Sequence, residues 1–344
     1  MAEQVMVDEL VTRGLAPWLA QHLGEAFANS TIERIGVGHS RAMYCVTALD
    51  GSRVVVRVEQ GGVFGTTGAE ESAVMRGLFD AGYPVAQILV DDPAGEAIGR
   101  PLFVMEYLEG EDAPGADERA IDGPTAQAFV DALSALHHID GSTLGFHSVP
   151  SSPNEATALQ VERWRDVYRS SAVSPGHGTS NPLLEEAAAW LVHHAPPLER
   201  LAVVHGDAGP GNFVHRDGRV VALTDWEFSH LGDPAEDWSF CRSMRGSRTM
   251  AAEAWLQLFA DRAGVQMTPD RWRYWEAFNL FKGACANRTC LEVFEDGRNR
   301  APNMAIIGTA LHQLFLRRLV AIVHDDHLGR SLRAATPPSS KPIT

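Results

Sequence analysis

The feature that most constrains this chain is the stretch Val203–Asp237, which reads VVHGDAGPGNFVHRDGRVVALTDWEFSHLGDPAED. A short apolar run, Leu201–Val204, leads into His205-Gly206-Asp207. Two further runs, Asn212–His215 and Val220–Thr224, flank Asp217-Gly218. An Asp-Gly pair between such runs is a strong hairpin signal, because both central residues of the favoured tight turn need positive φ. The hairpin returns the chain on itself and brings Asp225 back beside Asn212. One loop then presents Asp207, and one hairpin presents Asn212 and Asp225.

Any one of these residues alone is an ordinary turn former. Together they put two carboxylates and an amide in one place. That set suits holding Mg²⁺ and orienting a hydroxyl for phosphoryl transfer.

The chain has 344 residues, enough for one large or two modest domains. Its net charge is −15, from 29 basic and 44 acidic residues, which argues against a nucleic-acid surface. Cys45, Cys241, Cys285 and Cys290 show no C-x-x-C spacing, so neither a disulfide framework nor a zinc site is expected, and a cytoplasmic location is. Met1–Leu10 carries Glu3, Asp8 and Glu9 without an apolar core, so no signal peptide is expected. No apolar run reads as long enough to span a membrane.

Before the central stretch, Val5–Ala28 reads as a helix broken at Ala16-Pro17. Ile32–Leu49 reads as strand, turn, strand, with a glycine-containing turn from Gly36 to Ser40 that could lay backbone N–H groups over phosphates. Arg53–Glu59 alternates, with Val54, Val56 and Val58 on one face and Val55, Arg57 and Glu59 on the other. Ala69–Asp80 reads as a helix opened by Thr66-Thr67. Glu71 falls on its apolar stripe with Val74, Met75 and Leu78. A carboxylate there needs a partner, and Arg57 is the natural one. Tyr83–Val90 and Pro101–Leu108 read as two more strands.

Residues 1–108 therefore form a small antiparallel sheet with an inserted helix. The acidic, Gly/Pro-rich Glu109–Gly115 reads as a hinge. Residues 116–329 read as a mainly helical domain, with helices over Thr125–His138, Ala156–Ser170, from Asn181-Pro182, and over Met250–Ala263, Thr268–Phe294 and Ala301–Val323. His137 and His138 close the first of these, where a cation complements the helix dipole. Residues 330–344 read as a disordered tail. Trp164, Trp272, Tyr274 and Trp275 sit at helical spacing, which favours core over a ligand box.

His205-Gly206-Asp207-x4-Asn212, followed by Asp225-Trp226-Glu227, resembles the aminoglycoside phosphotransferase/choline kinase family. Supporting matches are Val54-Val55-Val56-Arg57, Glu71, Val104-Met105-Glu106-Tyr107 and Leu136-His137. The Trp226-Glu227 pair, Gly232-Asp233-Pro234 and Arg57 are similar to the branch associated with acyl-CoA dehydrogenases. The resemblance implies an α+β, protein-kinase-like bilobal fold with a small antiparallel-sheet N-lobe and a mainly helical C-lobe.

It also implies an ATP- and Mg²⁺-dependent phosphotransferase acting on a small-molecule hydroxyl. Asp207 would be the catalytic residue, and Asn212 and Asp225 the metal ligands. Arg57 and Glu71 would hold the phosphates, with Gly36, Gly38 and Ser40 covering them. Glu106, Tyr107 and Leu108 would meet the adenine. His205, Gly206, Asp233 and Asp237 read as scaffold, the last two as caps of a helix after Pro234. Glu227 remains open between a metal neighbour, a substrate contact and a surface residue. The alternatives are a nucleotide-binding pseudokinase serving as a regulatory module and, behind it, a metal-dependent hydrolase built on His205-x-Asp207. No nucleic-acid or membrane partner is expected.

Overall fold

The computed structural model describes residues 2–37, 41–60, 64, 67–112, 121–170 and 181–335. The chain opens with helix α1 (Ala2–Leu23), followed by strands β1 (Thr31–Val37), β2 (Arg41–Thr47) and β3 (Arg53–Glu59), helix α2 (Gly68–Asp80), and strands β4 (Ile88–Asp92) and β5 (Leu102–Glu106). The strands make one antiparallel sheet in the order β1-β2-β3-β5-β4. Strand alternation splits the valines of β3. Val54, Val56 and Val58 pack under α1, and Val55 packs with Phe103 and Met105 beneath Val74, Met75 and Leu78 of α2. Arg57 shares the α2 face, which aims its guanidinium between sheet and helix. The start of α2 is fixed locally by a capping box, in which Thr67 takes the Glu70 N–H and Glu70 takes the Thr67 N–H.

The expected break at Pro17 is absent: α1 runs through it. Pro17 removes one helix hydrogen bond, at a cost of about 3 kcal/mol. Val7, Val11, Leu15 and Leu19 are all fully buried against the sheet, at about 1.5–3 kcal/mol each. Burial therefore outweighs the proline.

The segment read as a hinge is also partly ordered. Glu111–Asp112 forms β6, paired with a strand of the central hairpin; Ala113–Gly115 lies outside the described residues. Helices α3 (Gly123–Leu136), α4 (Pro153–Ser170) and α5 (Pro182–His193) follow. Asp122 caps α3 and Asn181 caps α5, each ahead of a proline in the first turn. Next come β7 (Ala202–Val204), β8 (Phe213–Arg216), β9 (Arg219–Leu223) and β10 (His230–Gly232), then α6 (Ala235–Phe240), α7 (Ala252–Phe259), α8 (Pro269–Glu295), α9 (Pro302–Ile306) and α10 (His312–Ala335). A π-turn, Cys241–Arg245, extends α6.

Helix α8 is the axis of the second half, packed by α4, α5, α6 and α10. Trp164, Tyr274 and Trp275 are buried in this packing as core. Two readings change at the C-terminal end. Residues 330–335, expected in a disordered tail, continue α10, and 336–344 lie outside the described residues. Pro302–His324 is, by length and composition alone, apolar enough to cross a membrane, with mean hydropathy 1.5. Gly308, Thr309, His312 and Gln313 interrupt the apolar run without lowering its average enough. One face of this segment packs on α8 through Leu316, Leu319 and Val323.

Candidate active site

Strand β7 pairs with β10 and delivers His205-Gly206-Asp207 as a loop. Asp237 fixes the loop: its Oδ2 accepts the His205 N–H and its Oδ1 the Gly206 N–H, both at 2.8 Å. His137 Nε2 lies 2.9 Å from Asp237 Oδ2. Asp237 therefore does not cap α6; it lies inside that helix and holds the loop, and His137 serves Asp237 as well as ending α3. Burial works to raise Asp237's carboxyl, but His137 and these N–H groups outweigh it and hold it below the usual range. From the other side, Lys282 on α8 donates to the Gly206 carbonyl and to Glu236 Oε1, both at 2.6 Å. Burial lowers the His205 pKa, and its Nε2 sits 2.9 Å from the Thr224 carbonyl.

The hairpin forms as its turn residues dictate. Asp217 (φ 52°) and Gly218 (φ 71°) take the left-handed turn conformation between β8 and β9. The Thr224 N–H donates to the Asn212 carbonyl at 3.0 Å and ties the hairpin's base. Asn212 Nδ2 donates to the Asp207 carbonyl (2.8 Å) and to Asp207 Oδ2 (2.7 Å). Asp225 sits just past β9 in the left-handed region, φ 69°. Asp207, Asn212 and Asp225 are thus brought together.

A residue with no sequence signal completes this group. Arg245, at the end of the π-turn, grips both oxygens of Asp207, with Nε 3.1 Å from Oδ1 and Nη2 on Oδ2. The bent chain at Gly209 (φ +147°) makes room, since a Cβ there would run into the Arg245 side chain.

Arg57 is the crossing point of the two halves. Its Nη1 lies 3.0 Å from Glu71 Oε1, its Nη2 2.7 Å from Asp225 Oδ1 and 3.8 Å from Glu227 Oε2. Arg41, which sequence reading missed, approaches Glu71 Oε2 at 3.7 Å from the next strand. Burial pushes the Glu71 carboxyl up against the pull of Arg57 and Arg41. Burial also acts to raise Asp225, but Arg57's charge and hydrogen bond outweigh it and hold Asp225 low. Glu227, buried rather than on the surface, is pushed up to about 8 by burial and then by Asp225's charge.

The other candidate residues divide. Gly36 lies on β1 beside a bulge rather than in the turn. Gly38 and Ser40 lie outside the described residues. Glu106 ends β5, its Oε1 taking the Gln87 N–H at 2.9 Å. Tyr107 lies under the Arg53 guanidinium, 3.9 Å from ring centre, and Leu108 packs on the core edge. Among the described residues no group of three or more His, Cys, Asp or Glu is arranged to hold a metal. The oxygen donors available are those of Asp225, whose side chain is 35% exposed, and Asn212 Oδ1. Two protein oxygens suit Mg²⁺, which keeps several waters and borrows ligands from phosphate.

Residues 31–275 match the phosphotransferase enzyme family. The chain is 26% identical over 274 residues to acyl-CoA dehydrogenase family member 10 of Mus musculus, covering 72% of this chain and 25% of that protein. It is 29% identical over 176 residues to acyl-CoA dehydrogenase family member 11 of Gallus gallus, covering 49% and 22%. The chain thus spans about a quarter of the length of these curated relatives. Among solved structures, a thermostable mutant of the aminoglycoside phosphotransferase APH(4)-Ia, in a ternary complex with ADP and hygromycin B, superposes with TM-score 0.60 at 15% identity, covering 89% of this chain and 98% of that one. That likeness shows a shared protein-kinase-like fold, an antiparallel-sheet part followed by a helical part.

Proposed function

The chain belongs to the phosphotransferase enzyme family, and from that premise we propose that it is an ATP- and Mg²⁺-dependent kinase acting on a small-molecule hydroxyl. The observation that carries this reading is the convergence on Arg57. Glu71 approaches it at 3.0 Å from α2 and Asp225 at 2.7 Å from the end of the hairpin. Phosphoryl transfer needs positioning and charge neutralisation more than covalent chemistry; this cluster supplies the positioning, and the neutralising charge would come with Mg²⁺ on Asn212 and Asp225.

In this reading Asp207 orients the acceptor hydroxyl and takes its proton. The acceptor oxygen bonds to the γ-phosphorus as the bond to the ADP oxygen breaks. Arg57, steadied by Glu71, holds the phosphates, and Glu106–Leu108 meets the adenine. Asn212 and Asp225 would hold Mg²⁺, which would neutralise charge on the phosphates. The ADP and hygromycin B bound to APH(4)-Ia support the nucleotide and the hydroxyl acceptor as classes.

The test is phosphate transfer from ATP across aminoglycosides, macrolides, amino alcohols and hydroxyacyl-CoA compounds, with products identified by mass spectrometry. Asp207→Ala is expected to abolish transfer while the protein stays folded. Transfer retained in that folded variant would sink the role of Asp207. A nucleotide-binding regulatory module is the second reading, favoured by Arg245, which already grips both oxygens of Asp207. Nucleotide binding without turnover on the whole panel would select it.

A further inference from the structure

Between α2, α4 and the turn after Asp225 lies a cavity of about 240 Å³, lined by Glu70, Gln160, Arg163, Glu227 and His230 among others. It is smaller than the roughly 300–1,000 Å³ of pockets that take drug-sized ligands. It suits a short molecule, or one end of a longer one.

Two of its side chains are unfinished. Gln160 is 7% exposed, and its Oε1 has no donor among the described residues. Arg163 makes no hydrogen bond or ion pair to any described residue; its guanidinium lies 5.6 Å from the Trp164 ring centre. Burial disfavours its charge, and Glu70, Glu236 and Glu227 offset this only at a distance. Holding a guanidinium partly desolvated and unpaired is unfavourable for the fold. Two other inward-facing cations of this half are paired, Lys282 with Glu236 and Arg271 with Asp233.

Glu227 links the cavity to the reacting groups. It lines the cavity, and its Oε2 lies 3.8 Å from Arg57, which binds Asp225. We propose that this cavity receives an oxyanion of the phosphate acceptor, a carboxylate or phosphate, on the Arg163 fork, with Gln160 Oε1 taking a neighbouring N–H or O–H of the same molecule. The proposal rests on the kinase reading for the word acceptor, but not for the binding itself. A planar guanidinium pairs with either oxyanion through two parallel hydrogen bonds. Glu70 and Glu71 also line the cavity, so the anion is placed by the Arg163 fork itself and not by the net charge of the walls.

The experiment uses matched probes: β-hydroxybutyrate against its methyl ester, and glycerol phosphate against glycerol. The wild-type protein is expected to favour the anionic member of one pair by about tenfold or more in kcat/KM, the scale of one charge-assisted hydrogen bond. The pair that shows the preference tells carboxylate from phosphate. Arg163→Gln should bring that ratio near one, through KM, and Arg163→Lys should recover part of it. Calorimetric titration of the same probes reads binding without chemistry, with melting temperature as the check on folding. An anion that binds the wild type but not folded Arg163→Gln would keep the cavity even if it is never phosphorylated, and only the absence of turnover on the whole acceptor panel as well would sink the kinase reading. No binding of either anion, no wild-type preference, or a preference that survives Arg163→Gln would overturn the proposal.

Discussion

Arg57 Nη2 donates to Asp225 Oδ1 at 2.7 Å, across 168 positions of chain. The same guanidinium meets Glu71 at 3.0 Å, so one side chain joins the sheet, α2 and the hairpin. Its own surroundings are anionic on three sides, from Glu71, Asp225 and Glu227. The pair is therefore a structural tie as well as a candidate phosphate grip.

Removing the cation leaves those carboxylates facing one another. Arg57→Met is expected to lower stability by about 3–5 kcal/mol, the scale for breaking a buried pair on one side only. Arg57→Lys keeps the charge but loses the fork, so it should retain most of the stability and weaken nucleotide binding. Urea unfolding and nucleotide titration read the two effects separately. An unchanged unfolding midpoint in Arg57→Met would exclude the tie.

Arg245 and Asn212 both hold the Asp207 carboxylate. Two fixed donors confine it to one orientation, and transfer rates fall steeply when a reacting group wanders. Arg245→Ala should lower kcat by about tenfold to a hundredfold. Because Arg245 is a third exposed, the fold should lose about 1 kcal/mol or less. Single-turnover transfer and a melting curve check this, and an unaltered kcat would remove Arg245 from the positioning of Asp207.

What the sequence made legible is what short-range chemistry determines. The Asp217-Gly218 turn, the Thr67 cap and the Asn181-Pro182 helix start each depend on residues within a few positions. The Arg57–Glu71 pair was legible because a carboxylate on an apolar stripe demands a cation, and few were at hand. Arg245 and Lys282 were not, because their partners lie 38 and 76 positions away, and nothing local marks an arginine after a π-turn or a lysine on a long helix. Asp237 looked like a cap because acids near a helix start usually are. Only the packed structure shows that it faces inward to the His205 loop.

Glu227 gives a pH dependence whose sign follows from its raised pKa of about 8. A carboxyl that is ordinary when unfolded and raised when folded binds more protons in the folded state between those two values. Stability then falls as pH rises from about 4.5 to about 8. Glu227→Gln removes this titration, so its melting temperature should gain on the wild type as pH climbs through that window. A difference that stays constant from pH 5 to pH 8, measured without nucleotide, would show that Glu227 does not titrate there.

Lys282 and Glu236 are buried partners at 2.6 Å, and Lys282 also holds the Gly206 carbonyl, one residue before Asp207. The pair thus couples α8 to the loop that carries the candidate catalytic residue. Lys282→Met leaves Glu236 stranded in the core with His230, 3.2 Å away, in place of its lysine, and should cost up to about 3–5 kcal/mol. Glu236→Gln added to it removes the stranded charge and should recover part of that loss, since replacing both charges is milder than breaking one. Recovered stability need not restore turnover, because the double variant still lacks the donor to Gly206. Denaturant unfolding of both variants, beside their transfer rates, separates the two roles. If the double variant regains full activity with its stability, the contact to Gly206 does not position Asp207.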